Sequence, residues 1–363
     1  MTMKTIGVLG AGTMGSGIAL SAVMGGYQAV LSDNSGAALD RAQTKLAKYL
    51  ARQVEKERIT QAEAEAASAR LATVKTMDGL AEADLVIEAV FEDLAVKRGA
   101  FTQLEAIVRN DTVLATNTSA LKVGDIAEAL THKGRFCGMH YFSPAEINPV
   151  VELIRGAETS DAAIDAVLPF LAQTRKIAIR CKDQSGFALN RFFCPYTNEA
   201  VRCLEEGMGS TAQIDAVVKS ALGVAIGPFA VMNIVKPFIN LSAVQTLSHL
   251  GAFYAPAVLF QQVGTAKQDW EIDAEFTPLA PAQAAAVSGR IRGAIFYAVL
   301  DEISEGVASP EDIDAGAQKA FTFAKGPAAM MRELGFEETT RLLKGVSPNG
   351  TARLQDALGA LLG

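Results

Sequence analysis

A glycine-rich turn between two short apolar runs limits what this chain can fold into more than any other feature. The apolar run Ile6-Gly7-Val8-Leu9 predicts a buried strand, and Gly10-Ala11-Gly12-Thr13-Met14-Gly15 follows it at once. The small residues of 16–24 predict a helix, and a second predicted strand over 29–33 ends on Asp33. Strand, glycine turn, helix, strand and acid stand in the order of the dinucleotide-binding fingerprint, which favours a bound nucleotide over a bare glycine-rich turn.

Each part of this turn has a distinct physical role. Gly10 allows the tight turn, Gly12 lets the backbone approach a pyrophosphate, and Gly15 lets the helix pack closely on the strand. The helix would direct free N–H groups and the positive end of its dipole toward the phosphates, beside Thr13 and Met14. These five residues are therefore predicted to bind the cofactor.

The acid at the end of the second strand indicates which dinucleotide is bound. Asp33 lies eighteen residues after Gly15, where a carboxylate would hold both ribose hydroxyls of NAD. A 2′-phosphate would meet this negative charge, and residues 34–36 contain no Arg. The sequence therefore predicts NAD rather than NADP.

Length and charge exclude several classes of protein. At 363 residues the chain is long enough for two domains with sizeable cores. The net charge of −7 argues against nucleic acid or an anionic membrane as a partner. A strand is predicted to begin within five residues of Met1, so we expect no signal peptide; the most apolar run, 222–235, is too short to span a membrane and predicts a core helix.

The cysteines predict a reducing, cytoplasmic environment. Cys137, Cys181, Cys194 and Cys203 form no CxxC pair, which favours free thiols over a disulfide framework. Cys137 and His140 are spaced as CxxH, but no second pair of ligands lies nearby. We therefore predict no metal site and assign Cys137 to the core.

The hydrophobic periodicity changes near Asp183. Before it, predicted strands and helices alternate; after it, helical periodicity dominates to the C-terminus. The predicted fold is α/β: an N-terminal Rossmann-like, doubly wound sheet over 1–183, followed by an all-α C-terminal domain with an internal duplication. Its two helical units are predicted over 184–280 and 281–363.

The duplication has an offset of ninety-nine positions. In both copies a helix ends at Gly, the next begins at Ser, and a Gly-Pro corner leads into a third helix, so the two units should bury faces against each other. The matching residues are Glu206-Gly207-Met208, Ser210, Ile214-Asp215-Ala216, Gly227-Pro228 and Met232, and then Glu305-Gly306-Val307, Ser309, Ile313-Asp314-Ala315, Gly326-Pro327 and Met331. Residues 261–283, with the only Trp, Trp270, predict a long surface loop that serves as a lid or a connection.

Only one of the three histidines is placed for chemistry. His132 lies in a polar turn and should be exposed, and His249 lies in an apolar predicted helix and should pack. His140 ends a buried strand, and Glu152 lies within the apolar run 150–154, where an unpaired charge would be costly. If those strands are adjacent, Glu152 orients His140; the alternative is a core histidine and a salt-bridged glutamate.

A predicted helix over 37–58 has an apolar stripe on one face and basic residues mostly on the others. A solvated charged face is the more common explanation of such a pattern, and a landing surface for ligand phosphates is the functional one. The basic residues are Lys45, Lys48, Arg52, Lys56 and Arg58.

Six motifs in order resemble the L-3-hydroxyacyl-coenzyme A dehydrogenase family. The resemblance runs from residue 4 to about 235, and the second repeat extends it to about 345. The motifs are Gly10-Ala11-Gly12-Thr13-Met14-Gly15-Ser16-Gly17-Ile18-Ala19, Glu88-Ala89-Val90-Phe91-Glu92, Asn117-Thr118-Ser119, Gly138-Met139-His140-Tyr141-Phe142, Val151-Glu152-Leu153-Ile154 and Asp183-Gln184-Ser185-Gly186-Phe187-Ala188-Leu189-Asn190-Arg191.

The resemblance implies a reversible oxidation of a (3S)-3-hydroxyacyl thioester to the 3-oxoacyl form. His140 would be the general base and Glu152 its orienting carboxylate, while Ser119 and Asn190 would hold the substrate oxygen and the imidazole in line. Lys56 matches a position that contacts coenzyme A. Further cofactor contacts are implied for Ala89, Glu92, Lys97, Asn117, Ser119 and Ser143.

Three departures from the family pattern concern the acyl end of the substrate and one cofactor contact. Ser143 stands where the family usually has Asn, and its reach is shorter. Asn233 and Lys236-Pro237 replace an Asp and a Gly-Leu-Asp-like run, and residues 267–271 replace a glycine-rich stretch. These changes do not affect the NAD prediction. They leave open a substrate whose acyl group is branched, carboxylated or aromatic-derived.

Two other functions stay open from the sequence. One is a dehydrogenase of a free 3-hydroxy acid or sugar acid on the same scaffold, and the other is an NAD-binding sensor without turnover. In two-repeat members the second unit resembles the partner subunit of single-repeat dimers, so it should pack on the first unit within one chain. A homodimer through another surface stays open, and the expected partner is an acyl-CoA-type small molecule.

Overall fold

The computed structural model describes residues 3–347 and 352–363. The chain divides into two compact units, Met1–Asp183 and Gln184–Gly363. The α/β fold class is confirmed: a mostly parallel sheet with helices forms the first unit, and helices form the second.

The first unit is an eight-stranded sheet in the order β3-β2-β1-β4-β5-β6-β7-β8. Every neighbouring pair is parallel except β6 and β7, which are antiparallel. The strands are β1 (Thr5–Leu9), β2 (Gln28–Ser32), β3 (Leu71–Val74), β4 (Leu85–Glu88), β5 (Val113–Thr116), β6 (Phe136–Tyr141), β7 (Val150–Arg155) and β8 (Ile177–Lys182). The helices are α1 (Thr13–Met24), α2 (Gly36–Glu55), α3 (Gln61–Ala69), α4 (Leu94–Ile107), α5 (Val123–Ala127) and α6 (Asp161–Gln173).

Several helices of this unit begin where a polar side chain accepts a free backbone N–H. Ser35 accepts from the amide of Ala38 at the start of α2, and Ser160 accepts from Ala163 at the start of α6. The centre of the sheet is dry, since β4, β5 and β6 are buried throughout. Cys137 is fully buried on β6, as predicted, and burial raises the pKa of its thiol to about 12.

The described part of the second unit contains helices and no β-strand. Its helices are α7 (Asn190–Glu205), α8 (Thr211–Leu222), α9 (Pro228–Val235), α10 (Pro237–Leu247), α11 (Val258–Thr265), α12 (Pro281–Ser304), α13 (Pro310–Ala320), α14 (Pro327–Val346) and α15 (Gln355–Leu362). In the described part of the chain, no helix combines the length and the apolarity that crossing a membrane requires. Nor does that part contain three metal-ligating side chains in one group.

The repeat in the sequence is also a repeat in three dimensions. The carboxylate of Asp215 accepts the amides of Phe229 and Ala230 at the start of α9, at 2.8 and 3.1 Å. Ninety-nine positions later, Asp314 accepts two amides at the start of α14 at 2.7 and 2.9 Å. The Gly-Pro corner before each of these helices leaves no room for a Cβ, since the Cγ of Asp215 would lie 2.3 Å from one at Gly227.

The backbone repeats its unusual conformations as well. Gly223 and Thr322, which are equivalent positions, have φ of 64° and 61°. Lys236 and Gly335, also equivalent, have φ of 87° and 75°. The second pair explains why α14 contains a non-helical residue. Gly335 lies at the position where, in the first copy, Lys236 separates α9 from α10.

The helices α7 and α12 pack against each other through reciprocal ion pairs. Arg191 of α7 lies 2.9 Å from Glu305 in the second copy, and Arg290 of α12 lies 2.7 Å from Glu206 in the first. Arg290 is the repeat equivalent of Arg191, and Glu305 is the equivalent of Glu206. Each arginine therefore pairs with the glutamate of the other copy. Such an exchange is the mark of two-fold packing between like units.

Two local predictions are wrong, and a third holds only in part. Residues 266–280 contain no helix or strand and are mostly exposed, as the surface loop predicts, but 261–265 belong to α11 and 281–283 to α12. Trp270 in this loop is only 7% exposed and packs edge-on against Phe229. His249 is exposed and lies in a short 3-10 helix after α10, where its ring contacts the Ser185 hydroxyl. Residues 222–235 are not one helix, since Gly223 ends α8 in the left-handed conformation and α9 begins only at Pro228.

Candidate active site

The glycine turn links β1 to α1 and is fixed by close backbone contacts. The amide of Gly10 donates to the carbonyl of Ser32 at 2.7 Å, and its φ is 101°. A Cβ at Gly10 would lie 2.6 Å from the carbonyl oxygen of Ala89, and a Cβ at Gly15 would lie 1.8 Å from that of Gly10. Both positions therefore need glycine for the turn and for the packing of α1.

At Gly12, by contrast, no contact within the protein requires glycine. Its φ is −68°, and no atom lies within 4 Å of where its Cβ would be. No side chain caps α1, and Thr13 is exposed beside Gly12 while Met14 is partly buried. The exposed N-terminus of α1, with an open approach over Gly12, fits the pyrophosphate of a dinucleotide.

Asp33 lies where the sequence places it, just after the end of β2. One carboxylate oxygen accepts the amide of Ala11 at 2.7 Å, and the other accepts the amide of Ser35 at 2.8 Å. The carboxylate is thus held beside the glycine turn by two backbone donors. Its remaining acceptor capacity suits the ribose hydroxyls.

His140 and Glu152 lie in direct contact inside the sheet. They are opposite residues in the register of the antiparallel pair β6–β7, and the His140 Nδ1 lies 2.6 Å from the Glu152 Oε2. Glu152 is fully buried, and the side chain of His140 is 8% exposed. The Phe142 ring lies 4.6 Å from the imidazole ring, between centroids.

A second buried charge cluster follows β4. The ammonium of Lys97, which is 1% exposed, lies 2.7 Å from Glu88 and 3.1 Å from Glu92. Glu88 also accepts the hydroxyl of Thr116 and the amide of Val90, each at 2.7 Å. Glu88 is therefore the residue that joins the ends of β4 and β5 to the first turn of α4.

Glu92 ties this cluster to the loop after β5. Its Oε1 accepts the Thr118 hydroxyl at 2.7 Å and the amide of Ser119 at 2.8 Å. Burial raises the pKa of Glu92, but the charge of Lys97 and these donors outweigh it, so the pKa lies below its ordinary value. The same loop meets β6, because the side chain of Asn117 accepts the amide of Tyr141 at 2.8 Å.

The family follows from comparisons with known proteins. Residues 5–184 match the 3-hydroxyacyl-CoA dehydrogenase NAD binding domain, and residues 186–268 and 287–358 match the C-terminal domain of the same family. The chain belongs to the 3-hydroxyacyl-CoA dehydrogenase family. It is an NAD-dependent oxidoreductase.

Individual relatives agree with this family. A 3-hydroxybutyryl-CoA dehydrogenase of Bradyrhizobium diazoefficiens is 36% identical over 68% of this chain and 84% of its own length. The crystal structure of (S)-3-hydroxybutyryl-CoA dehydrogenase from Ralstonia eutropha is 35% identical, covers 73% of this chain and 94% of that chain, and has a TM-score of 0.71. A 3-hydroxybutyryl-CoA dehydrogenase from Escherichia coli shares the whole fold, with a TM-score of 0.90, 24% identity, and coverage of 100% of this chain and 98% of that chain.

The remaining predicted site residues of this dehydrogenase lie at several places. Ala89 is partly buried after β4, and Ser119 and Ser143 are exposed. Asn190 is the first residue of α7, in the second unit. Lys56 is exposed just after α2.

The basic face of α2 is not wholly free for a ligand. Lys45 is half-buried and lies 3.1 Å from Glu146, which the sequence did not single out. Lys48 and Arg52 are exposed and point away from the apolar stripe of the helix.

Two of the departures from the family pattern contact each other. The side chain of Asn233 donates to the carbonyl of Trp270 at 2.8 Å and accepts its amide at 2.7 Å. Lys236 lies 2.9 Å from Asp269. These substitutions therefore hold the segment 267–271 onto the end of α9, which gives them a structural role within this unit.

Sequence reasoning missed the part played by Glu88 and Thr118. The signal for Glu88 was present, since an acid in an otherwise apolar strand requires a partner. The partner, Lys97, was assigned to the cofactor, so the two were not connected. Thr118 carried no signal of its own within Asn117-Thr118-Ser119.

Proposed function

We propose that this chain catalyses the reversible NAD-dependent oxidation of a (3S)-3-hydroxyacyl-CoA to the 3-oxoacyl-CoA, with His140 as general base. The observation that carries the proposal is the 2.6 Å contact between His140 and the buried carboxylate of Glu152. An NAD-binding sensor would need neither residue. A dehydrogenase needs both, because the secondary alcohol must lose a proton as its carbon loses a hydride.

Glu152 sets the protonation state that the reaction requires. A carboxylate has no proton to give, so the His140 Nδ1 donates and the proton-free position of the neutral ring is Nε2. Nε2 accepts the proton of the 3-hydroxyl, and the negative charge of Glu152 stabilises the resulting imidazolium. In the reverse direction the imidazolium returns this proton to the alkoxide. NAD, when bound, supplies the hydride acceptor.

Polar side chains would hold the substrate oxygen in line with this base. By the family resemblance, Ser119 and Asn190 take this role. Glu92 already fixes the backbone of Ser119 through a 2.8 Å hydrogen bond, which limits the positions available to its hydroxyl.

The cofactor would be held by the glycine turn and the loops after β2, β4 and β5. We propose that the backbone of Gly10, Gly12 and Gly15, with Thr13 and Met14, holds the pyrophosphate. Asp33 would bind the ribose. The further proposed contacts are Ala89, Glu92, Lys97, Asn117, Ser119 and Ser143.

The substrate class is supported by the names of the relatives and by one exposed cation. Relatives are described as acting on 3-hydroxybutyryl-CoA, and one from Escherichia coli, 34% identical over 70% of this chain and 53% of its own length, as acting on 3-hydroxyadipyl-CoA. Lys56 is exposed after α2 and would contact coenzyme A. These observations favour a thioester over a free acid as the substrate. We include carboxylated acyl groups among the proposed substrates.

Oxidation of NADH tests the substrate class directly. We expect turnover with acetoacetyl-CoA and little with free acetoacetate at equal concentration. The reverse preference would favour a dehydrogenase of free 3-hydroxy acids. A panel of acyl thioesters assayed with NAD then defines the chain length and decoration.

A further inference from the structure

A cleft of about 450 Å³ opens in the second unit where α8, the first turns of α12 and the segment before α12 meet. This volume is within the range of small-molecule sites in proteins. Its walls are mostly apolar, with an arginine and three uncharged polar side chains among them. The lining includes Ala221, Phe276, Leu279, Ser288 and Arg292.

The repeat explains why there is space at this place. Ser288 is the equivalent of Leu189, whose side chain fills the gap to α13 so closely that a Cβ on Gly316 would lie 2.3 Å from it. Arg292 is the equivalent of Phe193, which stacks on Phe321 with ring centroids 4.2 Å apart. The second copy has therefore replaced two apolar fillers by a small hydroxyl and a cation.

The same comparison argues against chemistry in the cleft. Gly289 stands where the first copy has Asn190, the residue proposed to contact the substrate oxygen. The second copy thus has the corresponding stretch of helix, inside α12, without the side chain proposed to act in the first copy. What it offers is a binding surface.

Arg292 is the polar group that lacks a full set of partners. It donates to the carbonyl of Ala221, in the last turn of α8, at 3.0 Å. Its Nε is buried and has no hydrogen-bond partner, and among the described residues no carboxylate lies within ion-pair distance of the guanidinium. Glu338 acts on Arg292 only at longer range: its pKa is lowered mainly by its hydrogen bond to Arg341 and further by the charge of Arg292. A partly buried guanidinium without a direct carboxylate partner is unfavourable, and an anionic ligand would supply the missing acceptor.

We propose that this cleft binds a small apolar carboxylate, with its acid group on Arg292 and its chain against Phe276 and Leu279. The proposal goes beyond the dehydrogenase reaction, because it concerns residues outside the proposed catalytic machinery. The charge of Arg292 selects an anion, and the apolar walls select a hydrocarbon chain over a sugar or a phosphate. The competing explanation is that Arg292 only caps the C-terminal end of α8.

Calorimetric titration of the full chain with sodium octanoate tests the proposal, with 1-octanol as the probe that lacks the acid. We expect octanoate to bind and Arg292→Met, which keeps the stem of the side chain, to weaken its binding by at least about 10-fold. Arg180→Met, at an exposed arginine on β8, should leave it unchanged. Ser288→Leu, which restores the side chain of the first copy, should also abolish binding by filling the cleft.

Three results would overturn the proposal: no binding of octanoate, equal binding by Arg292→Met, or octanol binding as tightly as octanoate. Equal binding by Arg292→Met would mean that octanoate occupies another site, for example the dehydrogenase site. Turnover of acetoacetyl-CoA by Arg292→Met should equal that of the wild type, so failure here is distinguishable from failure of the proposed function.

Discussion

His140 and Glu152 occupy directly opposed positions on β6 and β7, and this register brings the imidazole Nδ1 within 2.6 Å of the Glu152 carboxylate. The pair β6–β7 is the one antiparallel pair among the described strands. Opposed residues of an antiparallel pair project to the same side of the sheet, so the contact is built into the backbone. A shift of register by one residue would break it.

Replacement of His140 by Gln should lower kcat by about 10²- to 10⁴-fold, the range ascribed to general acid–base catalysis. The affinity for NADH should stay within about twofold, since the glycine turn is unchanged. Glu152→Gln should give a smaller loss of kcat, because the imidazole remains but its cation loses a counter-charge. Steady-state kinetics and NADH fluorescence titration measure both quantities. Negligible turnover in the wild type and the variant alike, with NADH binding intact, would instead indicate a sensor.

The preference for NAD should depend on Asp33. Asp33→Asn is expected to weaken NADH binding by about 10-fold, because a charged acceptor for the ribose hydroxyls is lost. NADPH should be affected less or bind better, since the repulsion of its 2′-phosphate is removed. Asp40→Asn, at an exposed acid on α2, is the matched control. An unchanged ratio of NADH to NADPH affinity would place the ribose elsewhere.

Part of this molecule follows from short-range sequence patterns and part does not. The strand–glycine–helix order predicted the Rossmann-like sheet, and the spacing of twelve positions from His140 to Glu152 suited two adjacent strands. The surface loop was predicted but the burial of Trp270 within it was not, because the charges around Trp270 indicate solvent, whereas the Asn233 amide holds the Trp270 backbone. The Arg191–Glu305 pair joins residues more than a hundred positions apart, and no local pattern predicts such a contact.

Lys97 should be required for stability. Lys97→Met would leave Glu88 as a fully buried carboxylate without its cation, which typically costs about 3–5 kcal/mol. Lys48→Met, at an exposed lysine on α2, should change the free energy of unfolding by less than about 0.5 kcal/mol. Urea denaturation at pH 7 measures both. A loss for Lys97→Met no larger than that for Lys48→Met would mean that the hydroxyl of Thr116 and the amide of Val90 suffice for Glu88.

The contribution of Glu92 to stability should depend on pH. Its folded-state pKa lies below the ordinary value of 4.5, so the folded state holds the ionised form more strongly than the unfolded state does. The resulting stabilisation is complete above pH 4.5 and is lost as the pH falls through the folded-state pKa. The free energy of unfolding of the wild type should therefore exceed that of Glu92→Gln at pH 7, and the difference should shrink in acid. A difference that is constant from pH 7 to pH 3 would contradict this assignment.

The two Gly-Pro corners should be equally intolerant of a side chain. A Cβ would lie 2.3 Å from the Asp215 Cγ at Gly227 and 2.2 Å from the Asp314 Cγ at Gly326, and each carboxylate is held by two amides at a helix start. Gly227→Ala and Gly326→Ala should each lower the free energy of unfolding by about 1–3 kcal/mol, since neither aspartate can move without breaking those hydrogen bonds. Gly345→Ala, in a helix with nothing within 4 Å, should instead raise it by about 0.4–1 kcal/mol. Equal losses of unfolding free energy at both corners, measured by urea denaturation, would show that the two copies pack in the same way. No loss for Gly326→Ala, with a loss for Gly227→Ala, would show that the second copy packs less tightly at its corner.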